Sequence, residues 1–175
     1  MTHISTGVEY ALHCLTFLAG PEGSRSGSAR DLAELQGVSV DFVAKLFTKL
    51  QKTGIVAAAE GVRGGFSLAR DARDISFLDV IDAIDGPKPL FECKNIRTEC
   101  ALFEGNPPAW SSRGMCAIHA VMVEADNRVR DLLAQRSLAE ITGQLTAKAP
   151  PDYDDAIGSW LADRVPNRSA RRSPQ

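Results

Sequence analysis

The sequence predicts a mainly α-helical protein with one small β-hairpin, arranged as a winged helix-turn-helix followed by a long helix. Apolar residues recur at helical spacing in several stretches that glycine or proline interrupts. Short alternating segments flank a glycine-rich run at residues 60–65, which is typical of a hairpin turn. The longest periodic stretch, residues 118–133, follows an aperiodic segment and predicts the long helix.

Length and composition limit the class of protein. The 175 residues are 44% hydrophobic, which is enough for one domain, or for one domain with a dimerisation element. No apolar run approaches the length of a membrane span, and the start of the chain lacks a signal-peptide pattern, so we expect a cytoplasmic protein. In a reducing cytosol its 4 cysteines are metal ligands, reactive thiols or core residues rather than disulfides.

The amino-terminal third predicts three helices. The first covers residues 3–19, and a loop rich in glycine and serine follows it. The second is short and stops at Gly37, and the third starts near Ser39 and closes at Gly54. Two short helices separated by a glycine-containing turn are typical of a helix-turn-helix.

The hairpin strands are predicted at residues 55–59 and 66–68, and the chain then returns to helices. Three serines stand three positions before an acidic residue, which predicts a helix start at each. These pairs are Ser28 with Asp31, Ser76 with Asp79, and Ser137 with Glu140. The helix after Ser76 ends at Gly86, and a last short helix covers residues 153–163.

We expect four segments along the chain. Residues 1–86 form the winged helix-turn-helix, and residues 87–114 form an aperiodic loop that carries cysteines. Residues 115–148 hold a dimerisation helix with a following short helix. Residues 149–175 hold a short helix and a flexible basic tail.

The second helix of a helix-turn-helix enters the DNA major groove with its N-terminal residues at base edges. Positions pointing away from its apolar stripe predict DNA contacts at Ser39, Asp41, Ala44, Lys45, Thr48 and Lys49. At the hairpin, Arg63 and Gly64 are predicted to reach the minor groove or phosphates. The net charge of −2 does not favour bulk nucleic-acid affinity, although residues 24–74 carry eight Lys/Arg against six Asp/Glu. The alternative is a common helical packing unit with a solvated lysine face.

The loop and the following helix contain Cys93, Cys100, Cys116 and His119. Their spacing lacks the tight Cys-x2-Cys pairs of a zinc ribbon. Three thiolates can hold an iron–sulfur cluster or zinc, and the spacing alone does not decide between them. A cluster also needs a fourth ligand.

Glu9 and His13 lie four positions apart, and therefore on one face of the first helix, away from its apolar stripe. They are candidate ligands, and the alternative is an ordinary solvated pair on a helix surface. Cys14 lies among apolar positions, which favours a small core residue.

Several motifs resemble the Rrf-type bacterial winged-helix transcription regulators over residues 1–145. That family includes the IscR iron–sulfur regulator, the nitric-oxide-sensing NsrR repressor and the redox-sensing RsrR regulator. The motifs are Val8-Glu9-Tyr10-Ala11-Leu12, Asp31-Leu32-Ala33, Val38-Ser39, Arg63-Gly64-Gly65-Phe66 and residues 78–86. Residues 7–14, together with Phe91-Glu92-Cys93, are most similar to the RsrR-like branch.

The resemblance implies a homodimer in which the long helix crosses its twin and the cysteine loop lies against the first helix. In members with a cluster, the ligand beyond the loop cysteines varies. It is a histidine after the last cysteine, matching His119, or an acidic residue of the first helix, matching Glu9. In the RsrR-like branch, two loop cysteines join a glutamate and a histidine of the partner's first helix.

The gap from Cys100 to Cys116 is longer than in IscR-like members, which argues against Cys100 as a ligand. The resemblance therefore favours a 2Fe–2S cluster held by Cys93 and Cys116 of one subunit with Glu9 and His13 of the partner subunit. The rival set is Cys93, Cys100 and Cys116 with one of Glu9, His13 or His119.

These patterns together predict a homodimeric regulator that binds double-stranded operator DNA under control of the redox state or presence of the cluster. The expected signal is redox stress, nitric oxide or iron–sulfur status. We expect neither enzymatic activity, nor a membrane partner, nor a small-molecule substrate. The alternatives are a cluster-free regulator of the same fold that acts through thiol switching or a small ligand, a zinc regulator, and a redox enzyme built on this scaffold.

Overall fold

The computed structural model describes residues 4–20, 25–58, 65–89 and 91–164. Within them lie eight α-helices and one two-stranded antiparallel sheet. In chain order the elements are α1 (Thr6–Ala19), α2 (Ala29–Gln36), α3 (Val40–Lys52), β1 (Val56–Ala58), β2 (Phe66–Leu68), α4 (Phe77–Asp85), α5 (Ala109–Ser112), α6 (Ala117–Ala134), α7 (Leu138–Lys148) and α8 (Tyr153–Asp163). The mainly α-helical class with one hairpin is confirmed. The predicted hairpin tip and basic tail lie largely outside the described residues.

The chain divides into two compact units. The larger unit holds residues 4–87 and 133–164 of the described chain, and the smaller unit holds residues 88–132. The division falls inside α6, near its carboxyl end. No helix in the described ranges is long and apolar enough to cross a membrane.

The core of the larger unit forms where α1 packs against α2, α3, α4 and α7. The helices contribute fully buried aliphatic and aromatic side chains at helical spacing. Among them are Leu15, Leu18, Leu32, Phe47, Leu50 and Val80. Because each helix presents one apolar stripe, this shared core fixes how the helix-turn-helix is held.

Two of the three predicted caps are complete capping boxes. Ser28 Oγ accepts the Asp31 N–H while the Asp31 carboxylate accepts the Ser28 N–H, and Ser76 and Asp79 repeat the arrangement. Ser137 Oγ accepts the N–H of Glu140, as predicted. The Glu140 carboxylate instead accepts from Arg136, at 2.7 Å, so the third box is half formed.

The first helix starts later than predicted, at Thr6. Ser5 stands at its N-cap position, and the Ser5 N–H and hydroxyl both donate to the Asp85 carboxylate, at 2.8 and 2.6 Å. Asp85 is the last residue of α4, so these two bonds join the start of α1 to the end of α4.

The wing pairs Val56 with Leu68 and Ala58 with Phe66, within the two predicted strand segments. A bridge from the loop before α2 extends it, because the backbones of Gly27 and Phe66 exchange hydrogen bonds of 3.0 and 2.8 Å. Gly65 has a φ of +139°, and a Cβ there would lie 2.8 Å from the Gly27 carbonyl oxygen. Glycine is therefore required at this close approach.

The cysteine-bearing segment is predicted to be aperiodic, and the structure corrects this in part. It contains two short 3-10 turns, Ile96–Thr98 and Ala101–Phe103, in addition to α5. Elements of three or four residues are too short to produce a periodic apolar pattern, which explains why the sequence does not reveal them. The Phe103 and Trp110 rings meet edge-on with centroids 5.8 Å apart, so the segment has local packing of its own.

Helix α8 packs on the amino-terminal part of the larger unit. Arg25 donates to the Asp154 carboxylate, with one of its bonds at 3.1 Å, and Arg164 pairs with Glu34. Leu161 is buried, and its side chain lies against Gly27. These contacts tie α8 to α2 and to the loop before it.

Candidate functional site

The exposed face of α3 carries the predicted DNA-contacting residues. Asp41, Lys45 and Thr48 are exposed, and Ala44 is half-buried. The opposite face is buried through Val43, Leu46, Phe47 and Leu50. Because one face of α3 is buried in the core, its exposed face is free to enter a DNA groove, as the recognition helix of this motif does.

Three of these polar residues already make contacts inside the protein. The Thr48 hydroxyl donates to the Ala44 carbonyl oxygen of the same helix at 2.8 Å. Ser39 Oγ accepts the Phe42 N–H at 3.3 Å and caps α3. Lys49 Nζ donates to the Ile84 carbonyl oxygen at 2.5 Å, at the carboxyl end of α4. A cation at this position interacts favourably with the helix dipole, so Lys49 has a structural role that its sequence position does not reveal. Its predicted DNA contact, like that of Ser39, stays a prediction.

The wing is held against α3 by aromatic packing. The Phe66 ring lies 4.9 Å from the Phe47 ring, between centroids, in a tilted arrangement. Arg63 and Gly64, the predicted wing contacts, lie outside the described residues. The described strands show where the wing leaves and re-enters the fold, at Ala58 and Gly65.

Hydrogen bonds within the smaller unit link the chain near Cys93 to the chain near Cys116. Arg97 donates to the Gly114 carbonyl oxygen at 2.6 Å and to the Asn95 side-chain oxygen at 3.3 Å. These bonds join the turn that follows Cys93 to the residues just before Cys116. The rings of Phe91 and His119 also meet edge-on, with centroids 5.8 Å apart.

Cys116 is half-buried at the amino end of α6, where its carbonyl oxygen accepts the Ala120 N–H at 2.8 Å. The backbone N–H of His119, then that of Ile118, and more weakly the Arg97 guanidinium lower the pKa of the Cys116 thiol. A helix N-terminus stabilises a thiolate in this way, and the thiolate is the form that binds metals.

The other three cysteines differ in environment. Cys93 and Cys100 are exposed, and Cys93 Sγ accepts the Asn95 N–H at 3.4 Å. Cys14 is fully buried on α1, and burial raises the pKa of its thiol to about 12. Its environment is that of the core residue the sequence predicts.

Glu9 and His13 are both exposed on α1, on the side away from the buried stripe that contains Ala11 and Leu15. Across the described ranges, no group of three or more His, Cys, Asp or Glu residues within a single chain could hold a metal ion. The donor chemistry of Cys93 and Cys116 fits an iron–sulfur cluster, whereas one described chain by itself does not assemble four ligands.

The fold and the exposed face of α3 define a winged-helix DNA-binding protein. The chain belongs to the Rrf2 family, whose model is described as an iron-dependent transcriptional regulator and matches residues 4–144. It is thus a DNA-binding transcriptional regulator and not an enzyme.

Individual relatives agree with this assignment. The chain is 30% identical to an HTH-type transcriptional regulator named YffB from Lactococcus lactis, over 81% of this chain and 87% of that protein. It is 29% identical to the HTH-type transcriptional regulator IscR of Vibrio vulnificus, over 78% of this chain and 77% of that protein.

Solved structures share the fold. The global cysteine regulator CymR of B. subtilis superposes with a TM-score of 0.63 at 21% identity, over 82% of this chain and 98% of the other. IscR of T. potens superposes with a TM-score of 0.60 at 23% identity, over 85% and 92%. The predicted family is confirmed, while the RsrR-like branch stays a prediction.

Proposed function

We propose that the chain is a homodimeric regulator whose operator binding is controlled by an iron–sulfur cluster of the 2Fe–2S type. The observation that carries the proposal is that one compact unit holds both an exposed thiol, Cys93, and Cys116, whose thiol pKa is lowered at the start of α6. The family model's iron-dependent description and the IscR relatives support iron as the metal.

The proposed ligands are Cys93 and Cys116 of one subunit with Glu9 and His13 of the partner subunit. The exposure of Glu9 and His13 on one face of α1 supports this set, because both side chains are free to meet another chain. A ligand set divided between two subunits is consistent with the lack of a three-residue metal site in the described part of one chain. Cys100 and His119 are the rival ligands.

Dimerisation is proposed through α6. Its apolar residues recur along one side, and each is exposed in the single chain: Ile118 65%, Val121 64%, Met122 40%, Val129 41% and Leu132 54%. No residue of α6 is buried. A continuous apolar stripe of this kind marks a protein interface, so α6, within residues 115–148, is the proposed dimerisation helix.

In the proposed mechanism, binding of the cluster controls how the two α3 helices of the dimer are positioned on the DNA half-sites. A cluster bound at this site would supply a one-electron redox centre, with Glu9 and His13 holding α1 of one subunit against the cysteine segment of the other. Glu9 is followed by Tyr10, whose ring contacts Phe42 on the recognition helix. Loss of ligation thus alters the support of α3, and two such helices must meet half-sites about one DNA turn apart.

Within the DNA half-site, we propose contacts from the exposed face of α3 and from Arg63 and Gly64 in the wing. Lys45 and Arg63 supply phosphate contacts. Ser39 and Asp41 lie at the end of α3 that would enter the groove, and Thr48 lies further along the exposed face of the helix. The family's role in transcriptional regulation supports our placing the protein in the cytoplasm. The signal is proposed to be redox stress, nitric oxide or iron–sulfur status.

Anaerobic purification with iron, sulfide and visible spectroscopy tests the cluster. We expect iron and sulfide in equal amounts in the wild type, and loss of both in Cys93→Ala and Cys116→Ala with the dimer intact. His13→Ala should change the visible spectrum, while the matched variants His119→Ala and Cys100→Ala should not. An unchanged spectrum in His13→Ala would show that His13 is not a cluster ligand. Colourless protein that binds its operator would favour the thiol-switch alternative. Zinc in place of iron would favour a zinc regulator.

A further inference from the structure

A cleft of about 500 Å³ opens within the larger unit where α1, α2, α7 and α8 meet. Its apolar lining comes from Phe17, Leu35, Leu145 and Ile157. The volume lies in the range of roughly 300–1,000 Å³ that small-molecule sites occupy. The cleft therefore has the size and the apolar surface to take a small organic ligand.

The polar groups around the cleft carry an unbalanced positive charge. Lys148, in the last turn of α7, lines the cleft and makes no ion pair with any residue that the structure describes. The carboxylate of Asp154, which also lines it, is already paired with Arg25. The hydroxyls of Thr142 and Thr146 donate to carbonyl oxygens of α7 itself, at 2.9 and 3.0 Å.

We infer that this cleft binds a small organic carboxylate, with its apolar body against Phe17, Leu35 and Ile157 and its carboxylate at the Lys148 ammonium. Charge complementarity selects this class, since Lys148 is the cation left unpaired among the described lining residues and Asp154 is neutralised. His13, a proposed cluster ligand, also lines the cleft, so the carboxylate site borders the proposed cluster face of α1. The inference goes beyond cluster-controlled DNA binding because its ligand is held by Lys148 and the apolar lining and not by iron.

The cleft lies beside the helix-turn-helix, and part of its lining comes from residues outside the family match. Leu35 and Gln36 line it at the end of α2, directly before the Gly37 turn that leads to α3. The lining residues Lys148 and Ile157 lie beyond residue 144, where the family match ends. The site is thus built partly from a helix outside the family's shared region.

Saturation-transfer NMR with a matched pair of probes tests the inference on the full-length protein. The probes are naphthalene-2-carboxylate and the uncharged naphthalene-2-methanol, which share an apolar body. We expect the carboxylate to bind more tightly to the wild type. Lys148→Gln should weaken carboxylate binding by up to about fivefold, the range of an exposed ion pair, and leave the alcohol unchanged.

A steric variant and its control locate the binding. Thr146 is an exposed lining residue, so Thr146→Trp fills the cleft from its rim and should abolish binding of both probes. Gln144→Trp places the same side chain on an exposed part of α7 that does not line the cleft, and should bind like the wild type. Circular dichroism and thermal unfolding confirm that both variants are folded.

Three results would overturn the inference. The first is equal affinity for carboxylate and alcohol in the wild type, and the second is binding that survives Thr146→Trp. The third is a wild type that binds neither probe. If Thr146→Trp, but not Gln144→Trp, then changes the sedimentation coefficient, a second protein chain occupies the cleft. Iron content and operator binding, measured on the same samples, report separately on the proposed cluster function.

Discussion

The ring of Tyr10 on α1 meets the ring of Phe42 on α3 edge-on, with centroids 5.4 Å apart and planes at 88°. Edge-to-face pairs contribute about 0.5–1.5 kcal/mol beyond their buried area. We expect a double-mutant cycle of Tyr10→Leu and Phe42→Leu to give a coupling of that size in the free energy of unfolding. Urea titration at one fixed protein concentration measures it.

The control cycle combines Tyr10→Leu with Trp160→Leu. Trp160 lies on α8, where its ring packs under the Arg164 guanidinium, and makes no ring contact with Tyr10. These two substitutions should be additive within about 0.5 kcal/mol. A Tyr10–Phe42 coupling as small as the control would mean that the contact does not link the two helices energetically.

Gly65→Ala should destabilise the wing and weaken operator binding. The new Cβ would meet the Gly27 carbonyl oxygen at 2.8 Å, in addition to the cost of a φ of +139°. Gly54 has a positive φ of +70° with nothing within 4 Å of a Cβ, so Gly54→Ala isolates the conformational cost, about 1–2 kcal/mol. Thermal unfolding and fluorescence anisotropy with operator DNA should show the larger loss for Gly65→Ala. Equal losses in the two variants would contradict the close approach.

Lys45→Ala and Lys49→Ala should have different effects. The first should weaken operator binding, and the second should lower the free energy of unfolding. Lys45 is exposed with no described internal partner, so its loss should reduce the salt slope of operator binding by about one unit per subunit, hence about two units for the proposed homodimer, if each Lys45 contacts one phosphate. Lys49→Ala removes the donor to the Ile84 carbonyl oxygen and should lower the free energy of unfolding by about 0.5–1.5 kcal/mol. Salt titrations of binding and urea unfolding distinguish them. If the two variants changed the salt slope and the free energy of unfolding equally, the proposed difference in role between Lys45 and Lys49 would be wrong.

Cys14 should resist alkylation in the folded, metal-free protein. Burial raises the pKa of its thiol to about 12, so at pH 8 about one molecule in 10⁴ carries the reactive thiolate. Cys93, Cys100 and Cys116 are exposed or half-buried and should react with iodoacetamide. Mass spectrometry should find three adducts before unfolding in guanidinium and a fourth after it. Four adducts on the folded protein would show that α1 opens readily.

Val129→Glu should disrupt the proposed dimer. Val129 lies within the exposed apolar stripe of α6 and is 41% exposed in the single chain, and burying an unpaired carboxylate at an interface is costly. We expect the dimer dissociation constant to rise at least tenfold in sedimentation experiments. Asn127→Glu is the matched control, since Asn127 is exposed on the opposite side of the same helix. A dimer that tolerates Val129→Glu would place the interface on another surface.

Local hydrogen-bond chemistry made much of this fold predictable. Ser28 and Ser76 each stand three positions before an aspartate, and the same two side chains satisfy the free N–H groups at a helix start wherever the helix lies in the fold. The pattern at Ser137 is equally clear in the sequence, yet Arg136 binds the Glu140 carboxylate instead. Two chemically reasonable partners compete there, and spacing does not rank them.

Contacts between distant segments were not predictable. Lys45 and Lys49 occupy similar positions on the exposed side of α3, and only the packing of α4 against α3 gives Lys49 a carbonyl partner. The ion pair between Arg25 and Asp154 joins residues far apart in sequence and follows no periodic pattern. The pair of cysteines in the proposed metal site follows from motif resemblance, and the proposed remaining ligands, Glu9 and His13, are assigned to a second chain.

The paired backbone bonds between Gly27 and Phe66 mean that the wing is not a self-contained module. Its edge is completed by the segment that enters α2, and the two backbones approach so closely at Gly65 that a Cβ there would lie 2.8 Å from the Gly27 carbonyl oxygen. A chimaera that exchanges the hairpin between relatives must therefore carry the stretch around Gly27 with it. We therefore expect the DNA specificity of the helix-turn-helix and that of the wing to be transferred together, because the two segments are in steric contact.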